Sequence, residues 1–534
     1  MTNKHQLVLT PLFLIFLLLN IATAQTDPNQ PNILLVIADD LGVDYLNGYH
    51  NSTLLPTTPT LDSLRSVGIT FENVFATPKC ATSRATMMSG KFGINNGVET
   101  GPGNLDLSHE SIFKALKKTT NNDYTTAAIG KWHISQPIDA NHALDHGADY
   151  FLGVMGSGVD DYYKWQKTTN GTTTTDSNYV TSVFTDTSID WINDQVKPWF
   201  LWMAHVAPHS PFHVPPQHMY SITNTQNNAR KYVAMIESVD FELNRLLKSI
   251  PKAVRENTLI IFVGDNGTPS NLIQDYPAGH GKGTLYQGGV RVPLIVTGPN
   301  VERKGEHESE MIQIADIYAT ILEYTKTDLP GGIYNSLSFN NLLSKDLVDT
   351  RNYNYTEYRD MGVYGWAIRN KQYKLISYDN GEQEFYDLLI DSLETTDLLL
   401  STLTSDQLEL IAEFESESNQ IRTAWSCQDS IQNGTEEDID CGGLLCNVCT
   451  TATKNIAHVN TTIYPNPNAS IINITSDAII QKIIIYNTRG VIILSEKHPN
   501  ASTTSINIES LANGIYYINV VTHQGISTDS FIKI

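Results

Sequence analysis

The chain has 534 residues, 41% of them apolar and 17% charged, which suits several domains and excludes both disorder and a polytopic membrane protein. Its 35 Lys and Arg face 57 Asp and Glu, a net charge of −22. Such a field repels phosphates and anionic lipids, so nucleic acid is excluded as the main partner.

Lys4 and His5 precede an apolar run from Leu7 to Leu19, followed by the small residues Ala22-Thr23-Ala24. This is the order of a secretory signal (1–24), and the run is short for a bilayer span. A mature protein outside the cytoplasm, with no transmembrane segment, is expected. Pro31 to Ala38 (PNILLVIA) predicts a strand buried on both faces, as in the middle of a parallel sheet. Similar runs lie at Ile69–Ala76, Thr126–Ile129, Trp199–Ala204, Thr258–Val263 and Pro293–Val296. Helical patterns at Thr60–Val67, Glu110–Lys118, Val180–Gln195 and Tyr232–Ser249 alternate with them. The alternation predicts an α/β domain over 25–344, a mixed, mostly parallel sheet sandwiched by helices. The Thr-rich stretch Thr168–Ser177 reads as a loop.

Short strands at Tyr364–Asn370, Tyr373–Tyr378 and Glu384–Leu388, then a helix at Ser405–Ile421, predict a small antiparallel α+β subdomain over 345–424. Residues 425–455 form an acidic Cys-rich linker module. There Cys427, Cys441, Cys446 and Cys449 can form two disulfides in any of three connectivities. The carboxylates among them suit either a bound calcium or a solvated loop. Residues 456–534 show apolar runs at Ile471–Ile474, Ala478–Tyr486, Val491–Leu494, Ser505–Ile508 and Ile515–Val521, and predict a C-terminal β-sandwich.

Asp39 and Asp40 stand where the first buried strand ends, and open α/β sheets bind ligands at the carboxyl ends of their strands. Two adjacent carboxylates there are costly unless neutralised, which a hard dication with oxygen ligands achieves. Asp265-Asn266-Gly267 repeats the pattern, so the two pairs predict a four-oxygen cation site. Cys80, the cysteine outside the cluster, opens a predicted helix with Arg84 in its first turn, where backbone N–H groups attract an anion. An inert buried thiol is the alternative reading. Lys131 and His133 (GKWH), His205 and His209 (AHVAPHSP) and Lys282 (GHGKG) also follow predicted strands. Pro208 between the two histidines and Pro211 just after them forbid a helical zinc motif. Cations, acids and a lone Cys gathered at one sheet edge of an acidic chain imply an anionic substrate.

The motifs PNILLVIADDLG, CATSRATMMSGK, GKWHI, APHSPF, GDNG and GKGTLYQGGVRVPLIV, with the later run YKLI…EFYDLLIDSLETTDL, resemble the formylglycine-dependent sulfatases of the alkaline-phosphatase superfamily. The match covers roughly Pro31 to Leu400. It implies that 25–344 is the catalytic domain and 345–424 its C-terminal subdomain. It further implies one calcium ion held by Asp39, Asp40, Asp265 and Asn266. Cys80 would be oxidised by a formylglycine-generating maturation enzyme, and the hydrate of that formylglycine would be the nucleophile. Arg84 and Lys131 would orient the hydrate and neutralise charge, and His133 would assist breakdown of the covalent intermediate. Lys131, His209 and Lys282 would bind the sulfate, the last two helping the leaving oxygen depart, while His205 is a secondary candidate. The sequence departs from the family pattern at Thr82, where Pro or Ala is usual.

Tyr464-Pro465-Asn466-Pro467, the turn Asn487–Gly490 and Asn513-Gly514-Ile515-Tyr516 resemble the C-terminal sorting domain of Bacteroidota type IX secretion substrates. That implies passage through the periplasm and the outer-membrane secretion machinery, with release or attachment at the cell surface. The function expected is an exported, calcium-dependent sulfatase acting on sulfated polysaccharides or oligosaccharides, an algal glycan such as ulvan being one example. The alternatives are a phosphodiesterase or phosphonate hydrolase on the same scaffold, or a catalytically silent glycan-binding protein.

Overall fold

Asn32–Ala38 (β1) is buried along its whole length because both faces of its sheet are covered. The computed structural model describes residues 30–423, apart from 50–51, 121–122, 137, 327–334, 346–350 and 361–362. It also describes 461–534, apart from 468–469, 488–491 and 523–524. The expected signal and the four clustered cysteines lie outside the described residues. The chain divides into two compact units, Met1–Thr435 and Glu436–Ile534. Among the described residues no helix is long and apolar enough to cross a membrane.

The first unit is built on ten strands: β1, β2 (Ile69–Phe75), β3 (Thr125–Lys131), β4 (Tyr150–Val154), β5 (Trp165–Thr169), β6 (Thr172–Asp176), β7 (Trp199–Ala204), β8 (Thr258–Gly264), β9 (Leu294–Thr297) and β10 (Glu306–Gln313). They lie in the order β10-β2-β9-β8-β1-β7-β3-β4-β5-β6. The central run from β8 to β4 is parallel throughout, so their carboxyl ends share one edge. Strand β9 runs antiparallel between β2 and β8, which is the expected mixed, mostly parallel sheet.

Alternate side chains of β1 enter two separate cores. Ile33, Leu35 and Ile37 face α2 (Cys80–Ser89), α3 (Ile112–Thr119) and α6 (Asp316–Tyr324), through Ala85, Leu116 and Ile321 among others. Leu34 and Val36 face α1 (Pro59–Val67), α4 (Val180–Asn193) and α5 (Asn228–Ser249), through Leu64, Phe184 and Leu243. The near-continuous apolar runs in the sequence are the signature of this two-sided burial.

The two edges of this sheet differ from the sequence reading. The Thr-rich stretch is the β5–β6 hairpin at the sheet edge, turned by Asn170 (φ 44°) and Gly171 (φ 84°). An Asn-Gly pair fits such a turn, and β-branched threonines suit the flanking strands. Glu306–Gln313 was not anticipated as a strand; it is polar because it is the other edge, paired only with β2.

The subdomain is a four-stranded antiparallel sheet of β11 (Asn354–Asp360), β12 (Val363–Arg369), β13 (Tyr373–Tyr378) and β14 (Gln383–Asp387), with α7 (Ser405–Thr423). Its strand β11, absent from the sequence reading, hydrogen-bonds back to the main domain through Thr356 Oγ1 to Ala76 O at 3.0 Å. The second unit holds five antiparallel strands, β15 (Thr461–Tyr464), β16 (Ile471–Asn487), β17 (Ile492–Asn507), β18 (Gly514–Thr522) and β19 (Gly525–Lys533), around an Ile-rich core. The two short runs expected at 471–474 and 478–486 are one strand. Bulges near Ile480 let its first part pair with β15 and its second with β18.

Gly130, at the end of β3, has φ 122°, and a Cβ there would sit 1.9 Å from the Ala204 carbonyl oxygen of β7. Gly130→Ala is therefore expected to lower the unfolding free energy by about 3 kcal/mol or more. Chemical denaturation of the two proteins checks this.

Candidate functional site

Each strand end delivers a different charged group to the same edge. Asp39 and Asp40 follow β1, Lys131 closes β3 with His133 just beyond, His209 lies past β7, and Asp265-Asn266 follow β8. Cys80 is the first residue of α2 after β2, and Lys282 comes from the loop ahead of β9. Asp40 Oδ1 accepts from Lys282 Nζ at 2.5 Å and from Asn266 Nδ2 at 2.9 Å. Asp39 pairs with Lys131, both fully buried. Asp265 Oδ2 accepts from Arg84 Nε at 3.0 Å, while Arg84 Nη1 donates to Lys131 O at 2.6 Å. The backbone N–H of Asp40 donates to Asp265 Oδ1 at 3.0 Å, closing the ring of contacts.

Burial dominates the electrostatics. It pushes the Asp39 carboxyl up to about 8, with Lys131 opposing and Asp265 and Asp40 adding to the rise. Burial also works against an ionised Asp40, but Lys282, His209 and Lys131 overcome it and hold that carboxyl below the ordinary range. Lys282 stays charged because Asp40 more than offsets its own burial. Two oxygens, Asp39 Oδ1 and Asn266 Oδ1, are buried with no hydrogen-bond partner among the described residues. Unpaired buried oxygens beside carboxylates are the donor set of a hard cation.

Cys80 Sγ lies 3.2 Å from His133 Nδ1 and within 4.8 Å of carboxylate oxygens of Asp39 and Asp265. Burial raises its thiol pKa, against the pull of Lys131 and Lys282. Burial first, then Lys131 and Arg84, depress the His133 pKa, so the imidazole is neutral. His209 is pushed down to about 4 by burial, with Asp40 opposing at 3.8 Å. Its Nδ1 is 2.7 Å from the Ser210 carbonyl oxygen, which fixes the proton on Nδ1 and leaves Nε2 toward Asp40.

A cavity of about 510 Å³ opens over these groups, lined by Lys79, Cys80, His133, Ser135, His209 and Lys282 among others. The structure therefore gathers ten of the eleven candidates named from the sequence, Asp39, Asp40, Cys80, Arg84, Lys131, His133, His209, Asp265, Asn266 and Lys282, at one edge. His205 is different. It is wholly buried, off the cavity wall, and neither ring nitrogen has a hydrogen-bond partner among the described residues. Burial alone pushes its pKa down to about 4. A larger cavity of about 1130 Å³, where α1 and α5 approach the end of β9, contains none of the ten.

Sequence reasoning missed Lys79, although it adjoins Cys80, and Tyr232, whose hydroxyl donates to Asp40 O at 2.5 Å. It also missed the consequence of Thr82. That hydroxyl donates to Lys79 O at 2.7 Å and meets Thr77 Oγ1, so it braces the first turn of α2 where a ring would otherwise stiffen it.

Residues 279–423 match the family model described as N-sulphoglucosamine sulphohydrolase, C-terminal, and residues 462–534 match the secretion system C-terminal sorting domain. Arylsulfatase J of Mus musculus is 31% identical over 322 residues, covering 55% of this chain and 52% of the relative. N-acetylgalactosamine-6-sulfatase of Homo sapiens is 26% identical over 335 residues, covering 55% and 62%. The chain thus spans between half and two thirds of the length of these relatives. The solved structure of BT4656 in complex with its substrate D-glucosamine-2-N,6-O-disulfate shares the fold, with a TM-score of 0.64 at 21% identity over 74% of this chain and 98% of that one. The sulfatase family model itself matches residues 31–327, more than half of the chain and the whole of the edge described above, and the protein belongs to the sulfatase family.

Proposed function

We propose that the protein is an exported sulfatase that hydrolyses sulfate esters of sulfated polysaccharides or oligosaccharides, with residue 80 as its nucleophile. The observation that carries this reading is the position of Cys80, on the wall of a cavity whose other charged groups are cationic or neutral while every carboxylate is paired behind it. The sugar-directed names of the N-acetylgalactosamine-6-sulfatase and of the BT4656 complex support a glycan substrate. The match of residues 462–534 to a sorting domain supports export through the outer-membrane secretion machinery.

Asp39, Asp40, Asp265 and Asn266 would hold one calcium ion. The all-oxygen donor set and the two orphaned oxygens fit it. Once bound, it supplies positive charge for the sulfuryl oxygens. Oxidised to formylglycine by a maturation enzyme, residue 80 offers a geminal diol, one hydroxyl to attack sulfur and a second whose deprotonation expels sulfate.

The chain's own residues do the rest. His133 Nδ1, neutral and beside the residue 80 side chain, is placed to accept its proton. Arg84 and Lys131 keep the neighbouring carboxylates neutralised, so residue 80 does not face uncompensated negative charge. Lys282 remains protonated and can hold a sulfate oxygen. His209 Nε2 is the atom that gains a proton when an anion fills the cavity, and from there it can protonate the departing ester oxygen.

Three outcomes are expected. Mass spectrometry of the tryptic peptide Cys80 to Arg84, from protein made in its native host, should show formylglycine at residue 80; an unmodified thiol overturns the mechanism. Cys80→Ala should lose about 10³-fold or more in kcat on an aryl sulfate, with glycan binding retained. Stripping with a chelator should cost at least about tenfold in rate, restored by calcium. Faster turnover of matched phosphate mono- and diesters than of the aryl sulfate would favour the phosphodiesterase alternative.

A further inference from the structure

A cavity of about 1130 Å³ lies at the end of the sheet opposite the catalytic edge. Thr258, the first residue of β8, and Thr297, the last of β9, both line it, whereas Asp265 follows the other end of β8. From Thr258 to Asp265 the chain rises about 23 Å. Lys248 in the last turn of α5, Arg255 in the short helix Lys252–Glu256 and Lys304 in the turn ahead of β10 line the cavity. Both lysines are exposed, and among the described residues neither ammonium has a carboxylate or hydrogen-bond partner. Arg255 Nη1 donates to Leu247 O at 2.8 Å, which fixes the guanidinium against α5. Lys304 stands on pinned backbone, since Glu302 N donates to Leu343 O at 2.9 Å and Gly305 N to Gly68 O at 2.7 Å.

Two acids share the lining, Glu256 and Glu302, but Glu256 already faces Lys252 at 3.6 Å. With Lys252 included, four cations meet two acids there, in a chain whose net charge is −22. A local reversal of the overall field attracts anions. The floor is apolar, with Leu64, Leu247, Ile260 and Val301 all buried. Among the described residues no aromatic side chain lines it, so a neutral sugar finds no ring to stack on and the hold must come mainly from charge. The three cations stand on separate elements around a groove, and single exposed charges hold little. Anions repeated along one chain make such contacts act together, because the first raises the effective concentration for the next.

We propose that this groove binds a sulfated stretch of the polysaccharide remote from the ester being cleaved, through Lys248, Arg255 and Lys304. The inference rests on the sulfatase reading above for the identity of the polymer. It divides the work between the two ends of one sheet: the carboxyl ends of the parallel strands cleave, and the opposite ends retain the chain that supplies the next ester.

The test compares wild type with Lys248→Ala/Lys304→Ala and with a control, Lys118→Ala/Lys371→Ala. The control removes the same charge from two lysines outside the groove that are 70% and 59% exposed. Binding of dextran sulfate and of uncharged dextran is measured by calorimetry, and turnover of 4-nitrophenyl sulfate in parallel. The groove variant should bind dextran sulfate at least about fivefold more weakly than wild type, and the control within about twofold of it. That difference should shrink with added salt, and aryl sulfate turnover should be unchanged in both variants. Equal weakening in both variants would mean bulk charge without a site, and unchanged binding in the groove variant would mean no contact; each overturns the proposal. Uncharged dextran that binds as tightly as dextran sulfate overturns it too. So does reduced aryl sulfate turnover in the groove variant, since the groove would then serve the catalytic edge. Wild type that binds dextran sulfate through the groove but turns over no aryl sulfate sinks the sulfatase reading and not the groove. Turnover without groove-dependent binding does the reverse.

Discussion

Three carboxylates, Asp39, Asp40 and Asp265, are buried side by side, and the rest of the structure answers to the cost of keeping them there. Removing one such ion from water costs several kcal/mol even after relaxation, and its like-charged neighbours add to the cost. The chain meets it with Arg84, Lys131 and Lys282, one cation for each acid. Those partners are 181, 92 and 242 positions away along the sequence. A parallel sheet brings such distant residues together without long excursions, because every crossover returns the next strand end to the same edge. The two-sided cores around β1 make that edge rigid enough to hold charges in register.

One-to-one neutralisation also sets what the edge can receive. Asp39 retains a carboxyl that burial drives toward protonation, and two oxygens still lack partners. An added dication would satisfy both and leave the cavity with surplus positive charge, the condition for an anionic ester to enter a very acidic protein. Backbone conformation is held to the same end. Asp40 (φ 65°) and His133 (φ 57°) occupy the left-handed region, and each is fixed by a long-range hydrogen bond, Tyr232 OH to Asp40 O at 2.5 Å and His133 N to Met155 O at 3.1 Å. Side chains turned this way point where a regular strand end would not send them.

Much of this was legible from residues alone. β1, β7 and β8 are buried over their full length and almost wholly apolar because both faces are covered, so these strands, and the acids that follow β1 and β8, stand out. β10 and β11 did not, since Glu306–Gln313 is a polar edge strand and Asn354–Asp360 is polar along much of its length, which removes the hydrophobic signal. Lys79 and Asp360 escaped for another reason: a pairing across 281 positions leaves no local trace in either segment. His205 shows the opposite failure. It follows a strand as His209 does, but as the next residue after Ala204 it stays in the layer of the sheet, while His209, four residues on, reaches the cavity.

Cys80 is 5% exposed in the folded protein, at the mouth of a helix whose first turn is tied down by Thr77, Thr82 and Ser83. A catalyst the size of a protein has no approach to a sulfur in that setting. Any enzymatic alteration of that atom must therefore happen during the interval between synthesis and collapse, while the segment is still extended. Under the proposed function, the order of events (oxidation, folding, transit) would be part of what makes the protein active, and folding too soon would strand residue 80 as an inert thiol.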